Sequence, residues 1–286
     1  MIDNLIFLAP AIAACVILAG ILSYFGNHIL TRGIIFIDIA IAQIAALGTM
    51  TGLLLGFAEE SFAVQFVSYG FTIVVISLFA VLKSKKMAIS QEAIIGIIYC
   101  VALGLALLLA ERISGGSNYI TKTITGNILW VTWKQVTFTL ILVALVGLIH
   151  VFFSKKFIEI SENIRDKKGA ENKRILELLF YITFGFVIVK AVFIQGIFLV
   201  FILLIAPAAI VRLFTSNWKK RFIWSWVIGI LGSIIGIYIS YEYNVSNGPA
   251  IVCLLSTFVF LAAFAKAFKK ILERKSVSKF VQNIKE

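Results

Sequence analysis

The stretch LELLFYITFGFVIVKAVFIQGIFLVFILLIAPAAIVRLF, residues 176–214, decides the fold. Its 39 residues carry only three charged side chains, Glu177, Lys190 and Arg212. About 20 apolar helical residues cross a bilayer core, so the stretch holds two crossings, read as 176–190 and 192–214. Lys190 and Gln195 lie between them and mark a tight turn or a broken helix.

Working outward, seven further stretches meet the same criterion: 4–25, 34–57, 62–82, 92–110, 135–153, 222–241 and 249–265. The chain is 61% hydrophobic and 14% charged, with a mean hydropathy of +1.03. Soluble domains run near 45–50% apolar and about 25% charged; lipid accommodates the excess. The expected fold is all-α, a polytopic transmembrane bundle of about nine spans. The first stretch follows Met1-Ile2-Asp3-Asn4 without a basic leader, so it reads as a span and not a cleaved signal. Residues 1–265 are read as one transmembrane domain. Residues 266–286 form a basic tail, whose Phe268, Ile271, Leu272, Phe280, Val281 and Ile284 recur at roughly helical spacing among lysines, as in a helix lying on anionic lipid.

Cytoplasmic loops of membrane proteins are enriched in Lys and Arg. Nine spans place 22 of the 26 basic residues on one side: Arg32; Lys83, Lys85 and Lys86; the loop from Lys155 to Arg174; Arg212 and Lys219 to Arg221; and the tail. Arg112, Lys122, Lys134 and Lys190 fall on the other side, near Glu59, Glu60, Glu111 and Glu242. The N-terminus is therefore expected outside and the C-terminus inside a plasma membrane. The net charge of +12 reports topology and not a nucleic-acid partner.

The spans carry little chemistry. There is no GxxxxGK[ST] loop, HExxH or GxSxG, so the chain is not expected to be an enzyme or to bind a cofactor. Cys15, Cys100 and Cys253 lie in apolar stretches and read as buried small hydrophobes. His28 and His150 sit at span borders and would need to meet to hold a metal. Asp38, in GIIFIDIAIAQIAALG (33–48), is an ionisable group at membrane depth, and such groups are expensive and functional. It is either buried against backbone or Arg32, or faces a polar pathway as a transient oxygen ligand for a cation. Gln43 follows five residues later, about 140° around an ideal helix, so the two share a face only if the helix is broken. Glu92 and Glu177 open spans, where the helix dipole favours an anion. Pro207 is expected to kink its span, and Asn247-Gly248-Pro249 to break another. Gly232 and Gly236 form a GxxxG packing face. In the loop 155–174, Phe157, Ile160 and Ile164 fall on one helical face, as in either a solvated linker or a short helix that docks a cytoplasmic partner.

Several segments resemble, in order, the permease subunits of bacterial zinc/manganese/iron-type ABC importers: GIIFIDIAIAQIAALG; EAIIGIIYCVALGLALLL (92–109); ITGNIL (124–129); GIFLVFILLIAPAAIVRLF (196–214); and NGPAIV (247–252). The resemblance implies an all-helical permease that pairs with a second copy, with the pathway between the two. It implies two cytoplasmic ABC ATPase subunits, an extracytoplasmic metal-binding protein, and zinc, manganese or iron as the transported ion. Much of the family carries an aspartate and a histidine four residues apart in the second span. Here Ile39 and Gln43 hold those positions, and Asp38 precedes the first. Asp38 and Gln43 are accordingly the candidate metal-contacting residues, with a carboxamide in place of the softer imidazole. The rival readings are an ion-gradient-driven secondary transporter, a non-transporting scaffold or receptor, and a permease for a metal chelate such as a siderophore or cobalamin.

Overall fold

The computed structural model describes residues 2–59, 61–83, 89–126, 128–166 and 174–283. Glu60, Lys85, Lys86, Asn127, Lys167, Lys168, Lys173, Ile284 and Lys285 of the sequence reading lie outside them, as do the side chains of Lys83, Leu272, Phe280 and Val281. The described residues form an all-helical bundle: α1 (Ile2–Arg32), α2 (Ile37–Leu54), α3 (Phe62–Lys83), α4 (Gln91–Ala110), α5 (Gly116–Thr125), a short 3-10 turn, α6 (Trp133–Phe152), α7 (Ser154–Arg165), α8 (Arg174–Phe214), α9 (Trp218–Tyr243) and α10 (Asn247–Asn283). Seven of the described helices are long and apolar enough to cross a bilayer, and Phe62–Leu78 of α3 is a shorter apolar helix.

The longest of these, α8, holds two of the expected spans. Its backbone leaves helical geometry at Gly196 (φ 75°, ψ 167°). Were it one rod, Phe184 and Leu204 would stand about 30 Å apart at 1.5 Å per residue. Instead Phe184 packs on Phe25, ring centroids 5.1 Å apart, while a Cβ at the adjacent Gly26 would strike the Leu204 carbonyl. Both halves therefore pass the same level of α1, and α8 is a hairpin with Gly196 at its tip. The turn falls six residues beyond Lys190. The main chain stays helical through Pro207, so the break belongs to Gly196. Among the described residues nine apolar segments thus cross the bundle, seven in helices of their own and two sharing α8.

Contacts between segment ends define two poles. At one, His28 stacks near Trp218, Arg32 bonds α7, and Lys266 donates to the Leu213 carbonyl. At the other, Lys122 pairs with Glu59 at 3.9 Å, Phe7 meets Trp130, and Gly248 abuts Thr125. Between the poles, α4, α6 and α10 expose Val101, Leu108, Leu145 and Phe260 to the outside of the bundle, the surface that lipid covers. Cys15 is buried, but Cys100 and Cys253 are exposed on this apolar surface; burial in protein was expected for all three, and lipid solvates a thiol there as well as a core does. Gly232 and Gly236 pack against Leu255 and Ile251 of α10, the close approach that GxxxG permits.

The last helix continues unbroken from Asn247 past the expected boundary at 265 to Asn283. Pro249 sits in its first turn, where no N–H is needed, so Asn247-Gly248-Pro249 starts this helix. The Lys266 ammonium meets an orphan carbonyl in the last turn of α8, where a cation is favoured. Lys266→Met is expected to lower stability by about 0.5–1 kcal/mol, read as a modest fall in the thermal midpoint of the detergent-solubilised chain.

Candidate functional site

Asp38 opens the second helix. α2 begins at Ile37 and not at 34, so Asp38 occupies its first turn. The tight segment before it, with Gly33 at φ 70°, brings the chain back from α1. The carboxylate is 1% exposed. It accepts from backbone N–H groups of its own turn, which the start of a helix leaves free, while Oδ1 has no hydrogen-bond partner among the described residues. Arg32 does not supply one: its guanidinium lies 3.6 Å over the Phe180 ring, and its Nε donates to Ser161 Oγ at 3.0 Å. Of the readings open for Asp38, the Arg32 pairing is absent among the described residues.

α2 runs unbroken to Leu54, so Asp38 and Gln43 point about 140° apart and are not brought together. Gln43 is itself buried, 5% exposed. Asp38 instead continues the stripe of Ala45 and Thr49, seven and eleven residues on, which a 3.6-residue turn aligns to within about 20°. Ala45 and Thr49 line a cavity of ≈ 630 Å³ between α2, α3, α5, α6 and the first arm of α8. Its walls carry Glu59, Gln65, Tyr69, Tyr119, Lys122, Lys134 and Lys190. Tyr119 bonds Thr49, and burial pushes its phenol above the ordinary range. Lys190 is half-buried in this wall. No group of three or more His, Cys, Asp or Glu that could hold an ion occurs among the described residues.

The two histidines do approach each other, both packing on the Tyr24 ring with centroids 4.8 and 5.2 Å away. Three of their four ring nitrogens bond protein, and His28 Nε2 is buried with no hydrogen-bond partner among the described residues. His150 Nε2 donates to Thr183 Oγ1 at 2.8 Å, because that hydroxyl already donates to the Leu179 carbonyl; the Tyr24 hydroxyl then donates to Nδ1 at 3.0 Å. His28 Nδ1 bonds Ser161 Oγ at 2.9 Å. This is a neutral packing network. Thr183→Val should destabilise by about 1–3 kcal/mol, since it strands a buried N–H, read as a fall in the thermal unfolding midpoint in detergent.

The loop 155–174 contains α7. Phe157, Ile160 and Ser161 are buried against the bundle, whereas Lys155, Lys156, Glu159 and Arg165 are exposed. The apolar face thus anchors the helix to its own chain and presents the charged face outward. Ser161, four residues after Phe157 on the buried face, went unnoticed in the sequence; a polar residue on that stripe was its one signal. Glu92 stands in the first turn of α4, as expected, but the helix cap is another residue. Ser90 caps α4, accepting from Ala93 N at 3.3 Å, and Glu92 Oε1 accepts from Ile35 N at 2.9 Å. The glutamate therefore ties the α1–α2 loop to α4.

At the opposite pole three segments that resemble family motifs converge. A Cβ at Gly126 would collide with the Gln195 carbonyl, one at Gly196 with the Gly126 backbone, and one at Gly248 with the Thr125 carbonyl. ITGNIL, the α8 tip and the start of α10 thus close around one point.

Residues 4–267 match the model of the ABC 3 transport family. The chain belongs to that family. This ABC 3 chain is 26% identical over 265 residues to the manganese transport system membrane protein MntC of Listeria innocua, covering 92% of each. It is 28% identical over 261 residues to the high-affinity zinc uptake system membrane protein ZnuB of Buchnera aphidicola, covering 87% of this chain and 95% of that one. Its fold matches a chain of PsaBC from Streptococcus pneumoniae in complex with Fab, with a TM-score of 0.74 at 23% identity over 91% of this chain and 93% of that one. It is a multi-pass membrane protein with a permease's architecture.

Proposed function

We propose that this ABC 3 chain is the permease subunit of an ATP-driven importer for a divalent transition metal, namely manganese, zinc or iron. Near full-length similarity to membrane proteins of manganese and zinc uptake systems carries the reading. With no P-loop of its own, the chain draws its energy from a separate ABC ATPase. α7 is the docking element: it is amphipathic, anchored by Phe157 and Ile160, and charged on its exposed side. It lies at the pole that gathers Arg32, Arg212, Lys219 and Lys266, which the positive-inside rule makes cytoplasmic. That puts the N-terminus outside and the C-terminus inside, with the basic residues from Lys266 on at the cytoplasmic end of α10, beyond the permease domain of 1–265; because α10 is unbroken, they continue its axis instead of turning onto the lipid surface. An extracytoplasmic binding protein delivers the ion to the opposite pole, where the 630 Å³ cavity lies. A second copy of the chain completes the pathway.

Asp38 is the charged oxygen ligand that the ion meets on the α2 stripe, and Gln43 contributes a weaker carbonyl from another face. Oxygen donors suit manganese better than soft-ligand metals. The full transporter in proteoliposomes tests the reading. Metal should accumulate only when ATP reaches the ATPase side and the binding protein is present. Uptake driven by an ion gradient without ATPase would overturn it, as would no uptake of any of the three metals.

A further inference from the structure

Ser161 joins two helices, α7 and α1, through one oxygen. Its hydroxyl donates to the Phe157 carbonyl at 2.9 Å, so its lone pairs accept from Arg32 Nε at 3.0 Å and from His28 Nδ1 at 2.9 Å. The residue is fully buried, and α7 holds the end of α1 through this contact. Arg32 is 5% exposed, and its Nη1 and Nη2 have no hydrogen-bond partner among the described residues. The Phe180 face attracts the cation but leaves those N–H groups unbonded. A buried charge with unmet donors is strongly unfavourable, so the guanidinium has an incentive to move.

A complementary acceptor lies beside the same loop. Glu92 Oε1 holds Ile35 N–H at 2.9 Å, and Oε2 is buried without a hydrogen-bond partner among the described residues. Ile35 is three residues after Arg32, within about 11 Å along even an extended chain. Gly33, at φ 70°, sits between them where the chain turns, and Asp38 begins α2 immediately beyond.

We propose that Ser161 and Arg32 form a joint that transmits displacement of α7 to the Asp38 end of α2, with Arg32 exchanging Ser161 and the Phe180 ring for the free oxygen of Glu92. The proposal rests on the reading of α7 as the docking helix of an ATP-driven permease. In the present arrangement Arg32 fastens α1 to α7. When a partner moves α7, the Ser161 contact breaks and Arg32 forms an ion pair with Glu92. Glu92 already holds Ile35, so the pair drags the loop that sets the first turn of α2. The two arrangements supply the discrete states that coupling between distant sites needs.

The test uses the complete transporter in proteoliposomes, with metal uptake and ATP hydrolysis measured on the same samples. Ser161→Ala should assemble with its ATPase and keep basal hydrolysis, while metal carried per ATP falls about ten-fold, the worth of a hydrogen bond to a charged group. Ser161→Thr, which keeps the hydroxyl, should restore most of the coupling. Arg32→Gln and Glu92→Gln should each uncouple, and the double variant should be no worse than either alone, since both remove one contact. An unchanged transport ratio in Ser161→Ala would overturn the joint, as would multiplicative losses in the double variant. A wild-type complex that moves no metal refutes the functional reading instead, which keeps the two failures separate.

Discussion

Asp38→Asn should reduce ATP-driven metal uptake by about 10- to 100-fold, the worth of replacing a charged oxygen by a neutral one at about 1.5–3 kcal/mol. The substitution preserves size and keeps an oxygen toward the helix N-terminus, so the fold is not the variable. What changes is the charge. Asp38 is 1% exposed with one oxygen unpartnered by protein, and ionisable groups at membrane depth are maintained for function. Gln43→Ala should matter far less, because a carboxamide on another face is a weak ligand. The assay is initial-rate uptake in proteoliposomes, with complex yield as the control. Full activity in Asp38→Asn would remove the residue from the pathway.

A second large effect is expected in stability. Gly196 (φ 75°, ψ 167°) and Gly126 (φ 76°, ψ 171°) both occupy a backbone region that is essentially restricted to glycine. In addition, a Cβ on either would overlap the other's backbone. Backbone strain alone contributes about 1–3 kcal/mol per residue, and the steric conflict at the hairpin tip comes on top. Gly196→Ala and Gly126→Ala should therefore each abolish a monodisperse folded population, read by size exclusion and thermal unfolding in detergent. Gly147→Ala is the internal control: a Cβ there meets nothing within 4 Å, and alanine favours a helix by about 1 kcal/mol. If Gly196→Ala behaved like Gly147→Ala, the hairpin tip would not be the constrained point that the backbone indicates.

The spans were legible because a helix that crosses lipid, or is packed among others that do, is apolar along nearly its whole length, as the run from 176 to 214 illustrates. Their bounds were less legible. Asp38 was expected several residues into a span and instead starts the helix, since Gly33 to Phe36 are apolar but turn. Apolar residues in loops and in helices look alike when both face protein or lipid. Cys100 and Cys253 show the same ambiguity, being apolar-compatible whether buried in protein or facing lipid. Glu92 looked like a helix-terminus anion, and only tertiary contact showed that its oxygen holds Ile35.

By itself the sequence determined that the chain is helical and crosses a membrane about nine times, and it carried the order of motifs that resemble metal importer permeases. Hydrophobic length and charge distribution are one-dimensional quantities, so a string of residues contains them in full. The tertiary structure decided what meets what: Gly126 with Gly196, Gly248 with Thr125, His150 with Thr183, Arg32 with Ser161 rather than Asp38. Each pairing depends on where the α8 hairpin turns and on which face of a helix looks inward. A left-handed backbone at Gly196 sets the first, and packing between segments more than a hundred residues apart sets much of the second. Neither leaves a periodic trace in the sequence.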